Sequence, residues 1–112
     1  MPYIAENLRG EINEKVDELV LILRELEVRA PIDGVVNYTL TRIVDEMYGG
    51  GGYSVFNRAL GVLDCAAREF YRRKVAPYED QKMAENGDVY GERFFGNNIR
   101  DAWRSIKGEK DV

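Results

Sequence analysis

The 112-residue chain contains no histidine, a single cysteine, Cys65, and three prolines. Without imidazole there can be no Ser-His or Cys-His nucleophilic pair and no histidine-based zinc site. One thiol can form neither an internal disulfide nor a thiolate cluster, and it sits among helix-forming residues that suit a near-core position in a reducing compartment. Any metal would therefore be a hard cation such as Mg²⁺ or Mn²⁺ held by carboxylates. Long apolar runs are also missing. The longest, Leu19 to Leu23, is a core segment and not a membrane span. The first residues lack the apolar stretch of a secretory signal, so the default location is the cytoplasm.

What remains is a globular composition: 45% hydrophobic, 32% charged, with a formal net charge of -4. The length fits one domain over 1–112, with 108–112 frayed. An acidic balance disfavours general nucleic-acid binding, which depends on phosphate neutralisation. The charge is uneven. Residues 1–50 carry 5 basic and 10 acidic side chains, against 11 basic and 10 acidic over 51–112. Mixed charge of this kind reads as solvated helix faces, or alternatively as complementary surfaces for self-association.

The periodicity predicts an all-α fold, a compact bundle of about four helices. A long first helix over about Leu8–Val28 carries Leu8, Ile12, Val16, Leu19, Leu23 and Leu26 on one stripe. Ala30–Gly34 breaks it, with Asp33 or Gly34 as cap for a second helix over Val35–Tyr48. There Val36, Leu40, Ile43 and Met47 are expected to face inward. Gly49–Gly52 then reads as a mobile link. A third helix, capped by Ser54, runs to about Val75 with Phe56, Leu60, Leu63, Ala67 and Phe70 as its apolar stripe. Pro77 stops or kinks it and opens a short helix with Glu79 in the first turn. Asn86-Gly87 is a stop signal, and Asn97 or Asn98 caps a last helix through Ile99, Ala102, Trp103 and Ile106.

Carboxylate motifs are weak. Glu11 and Glu14 have the E-x-x-E spacing used by all-helical nucleotide pyrophosphohydrolases, but the companion E-x-x-D either overlaps that pair (Glu14, Asp17) or lies far off at Glu85 and Asp88. The glycine run lacks Walker spacing and its lysine. The most informative feature is a polar stripe on the third helix, formed by Asn57, Gly61, Asp64, Arg68 and Tyr71. Asp64 and Arg68 are spaced to pair, and a glycine inside a helix suggests close approach of another element. The stripe is either a helix–helix contact or one wall of a binding groove with Asn37 and Arg42.

Asn37-Tyr38-Thr39-Leu40-Thr41-Arg42, Tyr53, Asn57 and Gly61-Val62-Leu63-Asp64 are followed by Glu69-Phe70-Tyr71-Arg72-Arg73. Pro77-Tyr78-Glu79-Asp80 and Asn86-Gly87-Asp88-Val89 complete the series. This order resembles a family of short uncharacterised proteins of phages, bacteria and archaea. The resemblance covers about half the chain and implies a helical domain without an established activity, cofactor or catalytic residue. Read physically, a kink at Pro77 would fold Glu79 and Asp80 back towards Arg72 and Arg73, with Asp88 bracing the next turn. Arg72, Glu79, Asp80 and Asp88, with Glu69 and Tyr78, join the groove candidates.

The function read from the residues is a self-associating or protein-binding helical module, a homodimer above all, with Phe94, Phe95 and Trp103 as interface aromatics and no cofactor. The alternative is a Mg²⁺- or Mn²⁺-dependent enzyme or binding domain for phosphorylated small molecules such as nucleotides, built on Asp64, Glu69 and neighbouring acids. It requires at least three carboxylates to converge.

Overall fold

A computed structural model describes residues 1–90, and among them there are helices and turns but no strand. The last expected helix, with Phe94, Phe95 and Trp103, and the frayed 108–112 lie outside the described residues. The chain divides into two units, Met1–Glu69 and Phe70 onward.

In the first unit a 3₁₀ turn, Glu6–Leu8, leads into α1, Arg9–Leu26. The Arg9 guanidinium donates two hydrogen bonds to the Ile4 carbonyl, at 2.9 and 2.7 Å, and so ties the preceding segment to the helix start. The Tyr3 hydroxyl donates to the carboxylate of Glu69. The α1 stripe is unevenly covered. Leu19, Leu23 and Leu26 are half-buried, while Leu8, Ile12 and Val16 are exposed. Around the turn into the next helix, Leu23, Leu26, Val35 and Thr39 share one hollow, which is where α1 and α2 meet.

α2 is Ile32–Tyr48. It starts three residues earlier than the capping argument placed it. Pro31, in extended conformation with φ -59° and ψ 125°, precedes its first turn, and Asp33 lies within that turn instead of capping it. An acid there still favours the positive end of the helix dipole. Thr39 and Thr41 return their hydroxyls to the carbonyls of Val35 and Asn37, at 2.9 and 2.8 Å, which keeps both polar groups satisfied on the helix.

The four glycines form a hydrogen-bonded turn and not a loose link. The Gly49 amide donates to Asp45, and the Gly51 amide to Tyr48. Gly51 lies so close to Val55 that a Cβ there would overlap that side chain. α3 then runs from Tyr53 to Phe70, so Ser54 sits inside the helix. Cys65 is exposed and not near-core. No close neighbour explains Gly61: a Cβ there would meet open space among the described residues.

At Pro77 the chain does not stop. The helical backbone is unbroken from Tyr53 to Asn86, so three helical stretches lie among the described residues, and not four. The proline is absorbed by a π turn, Tyr71–Val75, followed by α4, Ala76–Asn86. Proline has no amide hydrogen, and its ring would strike the carbonyl four residues back in a regular α-helix. Widening the turn by one residue removes that collision, and the Ala76 amide reaches five residues back to the Tyr71 carbonyl. α4 ends at Gly87, whose φ of 92° falls where side chains are strained, as the Asn-Gly stop signal foretold.

Candidate functional site

The helices of the first unit leave their apolar stripes open. Among the described residues Ala59 is the buried hydrophobic residue, whereas Leu40, Ile43, Met47, Phe56 and Leu60 are all exposed. The α2 stripe of Val36, Leu40, Ile43 and Met47 is therefore outward-facing, contrary to the inward position that its spacing suggested. A 3.5-residue repeat shows that a helix has a face to cover; it does not say what covers it.

Between α2 and α3 lies a groove of about 610 Å³. Leu40, Val44 and Tyr48 form one wall, and Phe56, Leu60 and Leu63 the other, with Ala59 at the base of the α3 side. Helical spacing explains both walls, since each set recurs at three or four residues and so stacks along one side of its helix. Asn37, Thr41 and Asp45 supply a polar margin on α2. Thr41 Oγ1 lies 3.3 Å from Asn37 Oδ1, so this margin is internally hydrogen-bonded. An apolar hollow with a thin polar edge binds hydrophobic side chains; it does not supply the convergent charges that a phosphorylated substrate needs.

Of the groove residues read from sequence, Asn37 alone lines this hollow. Arg42 pairs with Glu46 one turn on, at 2.9 Å. Asp64 and Arg68 pair at 2.8 Å on the exposed surface of α3, as their spacing predicted, and Asn57 is exposed on the same helix. Glu69 accepts the Tyr3 hydroxyl. In the second unit Arg72 is exposed within the π turn, and Tyr78 carries the Lys82 ammonium 5.6 Å from its ring centre. Asp88 accepts the Tyr90 amide at 2.8 Å, which is the bracing role expected of it. Phe94, Phe95 and Trp103 lie outside the described residues.

Glu79 is engaged by Tyr71, whose hydroxyl donates to it at 3.1 Å. The hydrogen bond and the negative charge of Glu79 raise the Tyr71 phenol above its ordinary value, with smaller contributions from desolvation, Asp80 and Tyr90. Among the described residues no three acidic or sulfur side chains come together as a metal site. The convergence that the enzyme reading required is not found among them. No helix there is long and apolar enough to cross a membrane.

The groove walls themselves escape the sequence reading because it places Leu40, Phe56, Leu60 and Leu63 on core-facing stripes and gives Val44 and Tyr48 no apolar role. The available signal was the breadth of the α2 apolar surface. Leu40, Val44 and Tyr48 lie on one side of the helix, and Val36, Ile43 and Met47 lie about a quarter-turn away.

These features define an all-helical protein whose described helices present apolar faces to solvent. The chain belongs to the family of the domain of unknown function DUF6899, whose model matches residues 1–89. The match takes in α1, which the residue-by-residue resemblance had left out. No curated protein and no solved structure matches the chain.

Proposed function

We propose that this protein is a self-associating helical interaction module, a homodimer in its simplest form, in which two copies cover apolar helix faces that are exposed among the described residues. The observation that carries this reading is the exposure of the apolar stripes of α1, α2 and α3. Fixing a residue's backbone costs roughly 1–2 kcal/mol, and burial of apolar surface is the main term that offsets it. Most helical stability in proteins comes from packing an amphipathic face and not from helix propensity. Covering these faces supplies the missing stabilisation, and a second copy is the partner always present at matching concentration. In this reading the module works without a resident metal or cofactor, and the single thiol suits the reducing cytoplasm.

Light scattering coupled to size exclusion tests the reading. The expected mass is twice the 12.8 kDa of one chain. A helical monomer at micromolar concentration would overturn it.

A further inference from the structure

We infer that α2 is the pairing helix: α2 of one protomer lies antiparallel on α2 of a second copy, about a two-fold axis passing between Leu40 and Ile43. The inference rests on the self-association proposed above and goes further by naming the surface and its direction.

Four observations lead to it. Val36, Leu40, Ile43 and Met47 follow spacings of four, three and four, the repeat that seats one helix in the holes of another. They are open to solvent at 40%, 51%, 48% and 71%. Val36, Ile43 and Met47 are not among the residues that line the hollow where α1 meets α2 or the α2–α3 groove, and each keeps 40% or more of its surface exposed. Leu40 belongs to both the seam and the groove, which joins the seam to Phe56, Leu60 and Leu63 across the hollow. At these exposures the α2 seam itself offers on the order of 300 Å², and Phe56, Leu60 and Leu63 across the hollow bring the apolar surface to on the order of 600 Å² per copy. A stable dimer buries about 800 Å² per partner, so this face supplies most of what is needed.

Charge fixes the direction. α2 carries Asp33 in its first turn and Asp45 and Glu46 towards its other end. Parallel pairing would set Asp33 beside its own copy and both dipoles in the same sense, whereas Glu46 is already paired with Arg42 of its own helix. Antiparallel pairing opposes the dipoles and takes Glu46 to the level of Asn37 on the partner, a neutral amide. In that register Val36 meets Met47 and Leu40 meets Ile43. The unbranched thioether of Met47 adapts to the β-branched side chain it faces.

Cross-linking in the full-length chain tests the arrangement, with Cys65→Ser removing the native thiol. Ile43→Cys in that background should join to its own copy through a short bismaleimide. Val36→Cys alone should not, because two copies of residue 36 would stand about 16 Å apart along the axis. Val36→Cys mixed with Met47→Cys should give the mixed product. Efficient self-linking at both residue 36 and residue 47 would overturn the antiparallel order. Met47→Glu should weaken self-association by about 100-fold while the circular dichroism stays helical. A dimer unaffected by Met47→Glu, with no link at residue 43, would remove α2 as the pairing surface and leave self-association standing. A monomeric parent would remove both. If Met47→Glu loses its helicity, the cross-linking pattern alone decides.

Discussion

Tyr71 and Glu79 are eight residues apart yet share a hydrogen bond of 3.1 Å along one side of a continuous helix. In a regular α-helix they would be about 80° apart around the axis. The π turn between them takes up one extra residue, so they behave as if seven apart and fall within about 20° of each other. The proline at 77 thus acts at a distance. By requiring the wide turn, it aligns a phenol with a carboxylate two turns further on.

The alignment predicts a titration. The Tyr71 phenol ionises above its ordinary value of 10.0, because the Glu79 carboxylate accepts its proton bond and repels the phenolate. A group whose folded value is raised holds its proton more tightly when folded. Its contribution is therefore present below pH 10.0, the unfolded value, and is lost as pH rises through the folded value. Following the Tyr71 ring by NMR, Glu79→Gln should bring the midpoint back towards that of an exposed tyrosine. Pro77→Ala should do the same by letting the turn close to α geometry. An unchanged midpoint in both variants would refute the coupling.

Gly61 is a test of what covers α3. A glycine within a helix costs about 0.5–1 kcal/mol relative to alanine, and open space surrounds this one among the described residues. Gly61→Ala should stabilise the protein by about that amount in urea unfolding. Destabilisation, or a shift to monomer, would mean that another chain lies against Gly61 in the assembled state.

The glycine turn should respond unequally along its length. At Gly51 an added Cβ overlaps Val55, which is half-buried and has little room to yield, so Gly51→Ala should cost about 1–3 kcal/mol. At Gly50 there is nothing nearby, and Gly50→Ala should be neutral or slightly stabilising. Equal midpoints in thermal unfolding would show that the turn is less closely fitted than its geometry.

The surface ion pairs should contribute little. Arg68 and Asp64 meet at 2.8 Å, but their side chains are both largely in water. Arg68→Gln should change the unfolding free energy by less than about 0.5 kcal/mol, and less still in high salt. A loss of several times that size would assign the pair to a buried contact between chains.

Helix positions were readable because apolar residues recur at three and four. α1 was read within two residues at either end, and the end of α2 at Tyr48 follows directly from the glycines behind it. The start of α2 is missed because the helix begins directly after Pro31 with no side-chain cap, ahead of the Asp33 or Gly34 cap that the sequence suggests. The π turn was missed because proline in sequence signals a break, whereas a helix can widen to accept it. The groove was hidden for a different reason. Leu60 and Leu40 look the same in sequence whether their own chain or another covers them, so periodicity marks a surface as sticky without naming its partner. The Asp64–Arg68 pair was legible, since i and i+4 always adjoin; the Tyr71–Glu79 pair was not, since it exists only in the widened helix.

The π turn and Pro77 should also be coupled in heredity. A wide turn is an α-helix bearing a one-residue insertion. Deleting one residue between 72 and 75 would restore regular winding and drive the proline ring into the backbone behind it, while replacing the proline alone would leave the insertion with nothing to accommodate. The deletion is costly until the proline has gone. Relatives that are one residue shorter at this point should therefore have exchanged the proline as well, and an alignment gap there would mark a compensated double event and not a neutral length change.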